Sequence, residues 1–247
     1  MAKKKGNIST GFQKRSASRI LTSSAPFVVK EAYNSLRTKL LFVANGEECP
    51  VFTVTSAQPG EGKTTTALNL AISFAQAGKK TLLVDGDLRN ASLHKYFRVE
   101  RSPGLSELLA GMDNEVRFPT VGVENLTVLT AGENPPNPAE LLMSIRMDAL
   151  LAMSKERFDC VFIDTPPVCV VTDAAVLASK VTGSLLVVRM GVTDRSSVRA
   201  AIDHINLVQG KVIGFILNDT DGKNDSYYKK GGYYKYEYGN PGSSAKA

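Results

Sequence analysis

A glycine-rich loop at residues 57–65 is the segment of this sequence best suited to phosphate chemistry. Its residues, Ala-Gln-Pro-Gly-Glu-Gly-Lys-Thr-Thr, have the spacing of a P-loop, with alanine where the first glycine often stands. In such a loop, backbone N–H groups and a helix N-terminus face the phosphates, a lysine reaches the outer phosphates, and a hydroxyl ligates Mg²⁺. Here Lys63 would be that lysine and Thr64 that hydroxyl. We therefore expect a nucleotide to be held by Gly60, Glu61, Gly62, Lys63, Thr64 and Thr65.

Carboxylates follow two other apolar segments that are typical of β-strands. Asp85 and Asp87 come directly after the run at 81–84, and Asp164 follows the run at 160–163. Open α/β sheets form ligand sites at the carboxyl ends of their strands, so we expect these three side chains to lie beside the loop. Asp164 would then be a partner of the magnesium, and the other two would form an acid pair at the γ-phosphate end.

Six of the eight tyrosines are concentrated near the end of the sequence. They are Tyr227, Tyr228, Tyr233, Tyr234, Tyr236 and Tyr238. Glycine and lysine separate them without any aliphatic residue, which predicts a flexible tail at 220–247 outside the folded core. A tyrosine hydroxyl, with an ordinary pKa of about 10, attacks phosphate more readily when a carboxylate takes its proton. The tail tyrosines are therefore predicted phosphate acceptors.

The elements that must position these residues alternate along the chain. We predict strands at 51–55, 81–84, 126–129, 160–163, 184–188 and 211–217, and helices at 27–45, 63–77, 146–155, 172–180 and 196–208. Most strand segments lack polar alternation, which is typical of parallel strands covered on both faces. The sequence thus predicts an α/β protein with a doubly wound, mostly parallel sheet. We expect one folded domain at 27–219, between a basic flexible arm at 1–26 and the tail.

The net charge of +6 is localised in the predicted arm, because the remaining 24 basic and 24 acidic residues cancel. A short arm rich in serine and lysine is typical of a disordered segment, although attraction to anionic lipid or to an acidic partner surface stays open. No apolar run reaches the roughly 18 to 20 residues that span a bilayer. We therefore expect a cytoplasmic protein.

The loop, the segment Asp85-Gly86-Asp87-Leu88-Arg89 and the later Asp164 together resemble the deviant Walker ATPases and, within them, the bacterial tyrosine kinases. The resemblance extends from about residue 27 to the end of the sequence. It implies a P-loop NTPase fold, ATP and Mg²⁺ as cofactors, and tyrosine autophosphorylation in trans that regulates capsular or other exopolysaccharide synthesis and export. Asp85 would activate the acceptor hydroxyl, and Asp87 and Asp164 would organise Mg²⁺.

The resemblance also implies partners. The segment Glu31-Ala32-Tyr33-Asn34-Ser35-Leu36-Arg37-Thr38 is similar to a helix that joins the family's subunits into a ring, with Asn34 in place of an arginine. Glu31 and Arg37 are accordingly expected at a homo-oligomer interface. A separate transmembrane adaptor of the polysaccharide copolymerase type would recruit the chain to the inner face of the membrane. A protein-tyrosine phosphatase would oppose it.

Two other interpretations compete with a kinase. A partition or division-site ATPase switch usually carries a lysine early in the loop, where this chain has Gln58. A nucleic-acid arm would combine aromatic residues with strong positive charge, but the tail holds five lysines against three acids. Asn218, at the end of the last predicted strand, is by analogy with nucleotide-binding proteins a candidate contact for the base.

Overall fold

The computed structural model describes residues 20–22, 24–44, 46–113 and 118–219. The six tail tyrosines and most of the basic arm lie outside these described residues. The strands are β1 (Val51–Ser56), β2 (Thr81–Asp85), β3 (Leu126–Leu129), β4 (Cys160–Asp164), β5 (Gly183–Arg189) and β6 (Val212–Asn218). The helices are α1 (Phe27–Val43), α2 (Lys63–Gln76), α3 (Leu93–Phe97), α4 (Leu105–Ala110), α5 (Pro138–Met143), α6 (Ile145–Arg157), α7 (Asp173–Ala178) and α8 (Arg195–Leu207).

The six strands form one sheet in the order β3-β2-β4-β1-β5-β6, and every neighbouring pair is parallel. The predicted doubly wound parallel sheet is therefore confirmed. Because β1 lies next to β4, and β4 next to β2, the three chain segments with the predicted phosphate and acid groups leave the sheet side by side. Asp85 and Asp164 are direct partners in the register of β2 and β4.

The central strands β1, β2 and β4 are buried on both faces, which explains why they lack polar alternation. On the face covered by α1 and α2, Phe162 of β4 packs against Phe52 of β1 and Phe74 of α2, with ring centroids 5.6 and 5.1 Å apart. On the other face, Leu82 and Ile163 pack beneath α4, α6 and α7. Burial on both faces fixes the strand ends and hence the positions of the acids that follow them.

Two short helices, α3 and α4, were not predicted. They span five and six residues, so they contain too few turns for a helical apolar pattern to be recognised. At α5, Asn137 occupies the N-cap position and Pro138 the first turn, but the Asn137 side chain makes no capping bond to the backbone. Its amide instead donates to Glu140 Oε2 at 2.6 Å.

Replacing Phe162 with alanine tests how strongly this core holds the site. Phe162 is fully buried at the centre of the sheet. We expect Phe162→Ala to lower the free energy of unfolding by about 3 to 5 kcal/mol, measured by urea denaturation. The matched control is Phe215→Ala on the edge strand β6, where the side chain is 51% exposed and the loss should be well below half as large. Equal losses would contradict the assignment of the core.

Candidate functional site

The loop after β1 has the backbone geometry of an anion site. Gly60 and Gly62 have φ angles of 81° and 96°, a conformation that side chains disfavour. Gly62 caps α2, and its carbonyl accepts the first helical bond, from the Thr66 N–H at 2.9 Å. The amides of the first three helix residues therefore have no acceptor within the helix. Together with the helix dipole, they form a site suited to phosphate.

The three predicted carboxylates meet beside this loop. Lys63 Nζ lies 3.2 Å from Asp87 Oδ2. Asp85 and Asp164 are fully buried, and Asp87 is 5% exposed. The pKa of Lys63 is raised, because the negative charges of Asp164, Asp87 and Asp85 together outweigh the opposing effect of its burial. Three carboxylates against one lysine leave an excess of negative charge, which is the electrostatic requirement for a cation site.

Asp85 has one oxygen fixed and the other without a partner. Oδ2 accepts the backbone N–H groups of Ser92 at 3.1 Å and Leu93 at 3.0 Å. Oδ1 is buried and has no hydrogen bond within the part of the chain that the structure describes. Burial, followed by the charge of Asp164, raises the pKa of Asp85 to about 7. A carboxylate with this geometry and pKa can accept a proton near neutral pH.

Asp164 has two buried oxygens without a hydrogen bond among the described residues. Burial raises the pKa of Asp164 to about 6, although the Lys63 charge and the nearby Thr64 hydroxyl lower it. Mg²⁺ binds through one or two carboxylates together with phosphates and water, so these unpartnered oxygens fit that ion. No cluster of three or more His, Cys, Asp or Glu side chains able to hold a metal by themselves occurs in the described ranges.

A cleft of about 380 Å³ opens above these groups. It is lined by polar residues of the loop together with Lys63, Asp87, Arg89 and Asn90, and by an apolar wall of Pro166, Pro167, Val170 and Val171. The fully buried Asp85 and Asp164 are not among the lining residues. Val170 is 55% exposed, so part of this apolar wall faces solvent. The arrangement can hold a phosphate chain against a charged wall and an aromatic or aliphatic group against the other.

An ion pair missed by the sequence analysis holds the cleft together. Arg89 Nε and Nη2 donate to the two carboxylate oxygens of Asp173, at 2.8 and 2.9 Å. Asp173 is fully buried at the start of α7, so the pair ties the segment after β2 to the far side of the cleft. Arg89 belonged to the predicted motif without a role. No local pattern reveals its partner, which lies 84 positions away.

The remaining predicted loop residues divide by what they present to the cleft. Gly60, Gly62, Thr64 and Thr65 line it, and the Thr65 hydroxyl lies 3.4 Å from the Tyr96 hydroxyl. Glu61 is buried on the opposite side of the loop, where its carboxylate accepts the Gln58 N–H at 2.9 Å. Glu61 can therefore contribute to a ligand only through its backbone.

The predicted interface residues lie on α1, away from the carboxylates. Arg37 Nη1 donates to Asn34 Oδ1 at 2.9 Å, and to the carbonyl and hydroxyl oxygens of Ser73 at 2.8 Å. The Asn34 amide donates to Glu31 Oε1 at 2.9 Å. Asn34 thus connects the two charged residues along one side of the helix, and Arg37 also joins α1 to α2.

Comparisons with known proteins identify relatives. A family model described as an AAA domain matches residues 50–212. The chain is 40% identical over 205 residues to tyrosine-protein kinase YwqD of Bacillus subtilis, covering 83% of this chain and 85% of YwqD. It is 37% identical over 209 residues to tyrosine-protein kinase CpsD of Streptococcus pneumoniae, covering 84% and 91%. It is also similar to the solved kinase domain of Escherichia coli tyrosine kinase ETK, with 38% identity, a TM-score of 0.74 and coverage of 80% and 81%.

Across residues 20–219, apart from the short undescribed gaps, no helix has both the length and the apolar character needed to cross a bilayer.

The buried carboxylates predict a dependence of stability on pH. Asp164 has a pKa of about 6 in the folded chain against an ordinary 3.8, so between these values the folded state keeps a proton that the unfolded chain has lost. The native state therefore loses stability as pH rises through this range. We expect Asp164→Asn to raise the free energy of unfolding of the nucleotide-free protein by on the order of 3 kcal/mol at pH 8, and by about half as much at pH 5.

Urea denaturation without nucleotide or Mg²⁺ at the two pH values measures this effect. Asp203→Asn is the matched control, because the same change on the exposed surface of α8 should alter stability by less than about 0.5 kcal/mol at either pH. A destabilised Asp164→Asn protein at pH 8 would contradict the assigned cost of the buried charge.

Proposed function

The chain belongs to the bacterial tyrosine-protein kinases, and we propose that it transfers the γ-phosphoryl group of ATP to the tail tyrosines of another copy of itself. The observation that carries the proposal is the junction of a P-loop with three buried carboxylates, of which Asp85 has a free oxygen. The same chain supplies six clustered tyrosines. Tyr227, Tyr228, Tyr233, Tyr234, Tyr236 and Tyr238 are the proposed acceptors.

Phosphoryl transfer requires mainly alignment of the reacting groups and neutralisation of charge. The N–H groups from Gly60 to Thr65 and the Lys63 ammonium would hold the phosphates of ATP. Thr64, Asp87 and Asp164 would hold Mg²⁺, which when bound neutralises charge on the phosphate oxygens. The support for this metal site is the set of unpartnered Asp164 oxygens beside the Thr64 hydroxyl.

Asp85 is the proposed base. Its two bonds from the backbone of the segment entering α3 fix the orientation of the carboxylate and leave Oδ1 available. In the reaction, Oδ1 would accept the proton of the tyrosine hydroxyl while the phenolic oxygen bonds to the γ-phosphorus and the bond to the β-phosphate oxygen breaks. Positioned general bases of this kind contribute roughly 100- to 10,000-fold to rate.

The apolar wall of the cleft supports tyrosine as the acceptor. Pro167, Val170 and Val171 line the same cleft as Lys63 and Asp87, so a phenyl ring would pack on the apolar residues with its hydroxyl directed toward the charged groups. Burial of an aromatic ring at about 25 cal/mol per Å² then favours tyrosine over the aliphatic hydroxyls.

Chain length alone does not choose between transfer within one chain and transfer between chains. Tyr227 lies eight positions beyond Asp219, a stretch that can extend about 27 Å. Strand β6 lies three strands from β4, which corresponds to about 14 Å. Both routes are sterically accessible, so transfer in trans rests on the family's organisation.

We extend the proposal to partners on the basis of the family's organisation. A homo-oligomeric ring would use α1, where Glu31 is exposed and where Phe27 and Phe42 are 75% and 79% exposed. Arg37 would contribute while remaining bonded to Ser73. A transmembrane adaptor of the polysaccharide copolymerase type would recruit this cytoplasmic kinase to the inner face of the membrane. A protein-tyrosine phosphatase would remove the phosphate from its tyrosines. The regulated process would be exopolysaccharide or capsule synthesis.

The test is incubation with Mg²⁺ and ATP at micromolar protein concentration, followed by mass spectrometric mapping of phosphotyrosine. We expect phosphate on the tail tyrosines of the parent protein and none after Lys63→Ala or after all six are changed to phenylalanine. Asp85→Asn should slow the reaction at least 100-fold while ADP affinity stays within a few-fold, because the amide oxygen can still accept both backbone bonds.

Asp148→Asn provides the matched control for Asp85, since it makes the same change on an exposed aspartate of α6 and should leave the rate unchanged. ATP hydrolysis without any phosphotyrosine in the parent would contradict the kinase proposal and favour the partition-type switch. An Asp85→Asn protein as fast as the parent would remove Asp85 from the role of base.

A further inference from the structure

The ends of β5 and β6 hold the P-loop on the side away from the cleft. Asn218, the last residue of β6, donates its side-chain N–H to the Glu61 carbonyl at 2.9 Å. It does not line the cleft, whereas the adjacent Gly62 does. The contact with the base that the sequence predicts for Asn218 stays a prediction, whereas the bond of its amide nitrogen to the loop is present in the structure.

Planarity of the peptide unit gives this bond a consequence for ligand binding. In a trans peptide the C=O and N–H point in opposite directions. The Glu61 carbonyl and the Gly62 N–H belong to the same unit, so holding the carbonyl on Asn218 turns the N–H away from Asn218. A Cβ at Gly62 would come within 2.0 Å of the Asn218 amide nitrogen, which shows how closely the two residues pack.

The preceding peptide unit is held in a similar way. Arg189, at the end of β5, directs Nη1 to the Gly60 carbonyl at 3.4 Å. Its Nε and Nη2 pair with Asp219 Oδ2 at 2.8 and 2.7 Å, which keeps the guanidinium against the loop. By the same geometry, the Glu61 N–H points away from Arg189.

A third contact fixes the side chain between these two units. The buried Glu61 carboxylate accepts a hydrogen bond from the Thr193 hydroxyl. The Thr193 oxygen in turn accepts a hydrogen bond from the backbone N–H of Arg189 at 2.9 Å. The carboxylate also accepts the Gln58 N–H. Rotation of either peptide unit would break the bond of its carbonyl to Arg189 or to Asn218, and the bonded Glu61 side chain anchors the Cα atom between the two units, so the orientation of the loop is strongly determined.

We propose that Asn218 is a positioning residue for nucleotide binding: with Arg189 on the preceding carbonyl, it turns the N–H groups of Glu61 and Gly62 toward the phosphates. The inference rests on the nucleotide site of the proposed function and adds residues from the other end of the chain to it. Asn218 and Asp219 also directly precede the segment that contains the acceptor tyrosines.

The experiment compares Asn218→Ala with the parent by calorimetric titration with Mg·ADP and by the NMR signal of the Gly62 amide. We expect the dissociation constant to rise about tenfold, the change produced by misdirecting one hydrogen bond to a charged ligand. We also expect the large shift of the Gly62 amide signal on ADP addition to be lost. Asn218→Asp keeps the side-chain volume but removes the donor, and it provides the same comparison if the alanine variant does not fold.

Asn206→Ala and Asn206→Asp on the exposed surface of α8 are the matched controls and should bind Mg·ADP within twofold of the parent. Unchanged ADP affinity in both Asn218 variants would overturn the proposal. Weaker binding with a Gly62 shift equal to that of the parent would overturn it as well, because the Gly62 N–H would then still face the phosphates and the lost affinity would have another cause. A parent protein that binds Mg·ADP but forms no phosphotyrosine would contradict the kinase proposal alone.

Discussion

Three carboxylates buried beside a single lysine are the constraint on which the rest of the structure depends. Asp85 and Asp164 stand opposite each other at the ends of β2 and β4, and Asp87 pairs with Lys63. Burying ionised carboxylates without full compensation destabilises a fold. Burial raises the pKa of Asp85 and of Asp164. The arrangement is useful only if a cation and a phosphate chain complete the charge balance, and the adjacent P-loop provides the place for the phosphates.

Contacts on two sides hold this destabilising cluster of buried carboxylates and the loop beside it in place. In front, the Arg89–Asp173 pair joins the segment after β2 to α7 and defines the width of the cleft. Behind, the ends of β5 and β6 hold the carbonyls of the loop, so its N–H groups face the opposite way. The central position of β1 makes both supports possible, because strands with acids lie on one side of it and strands with amide and guanidinium groups on the other. The proposed kinase chemistry and the proposed positioning of the nucleotide would thus use opposite halves of one sheet.

The sequence predicted what is local and failed on what is distant. The strands, the P-loop and the three carboxylates could be located because apolar runs and motif spacing are contained within a few residues, and the parallel sheet then brings their ends together. Helices α3 and α4 are too short to show periodicity. The Arg89–Asp173 and Asn218–Glu61 contacts join residues 84 and 157 positions apart, so no local pattern reports them. Arg37 is similar: the resemblance of segment 31–38 to the family's ring-forming helix implies an interface, whereas the bonds of Arg37 to Ser73 depend on how α1 packs on α2.

The central claim is that this site acts on the tail of another copy. Mixing two chains that cannot phosphorylate themselves tests it most directly: a Lys63→Ala chain, which keeps its tyrosines, and a chain with an intact site whose six tail tyrosines are phenylalanine. After addition of Mg²⁺ and ATP, the account predicts phosphotyrosine on the Lys63→Ala chain, at a rate that rises with the concentration of the other chain. If the Lys63→Ala chain stays unmodified while the parent protein phosphorylates itself at a rate independent of concentration, transfer occurs within one chain and the account is contradicted.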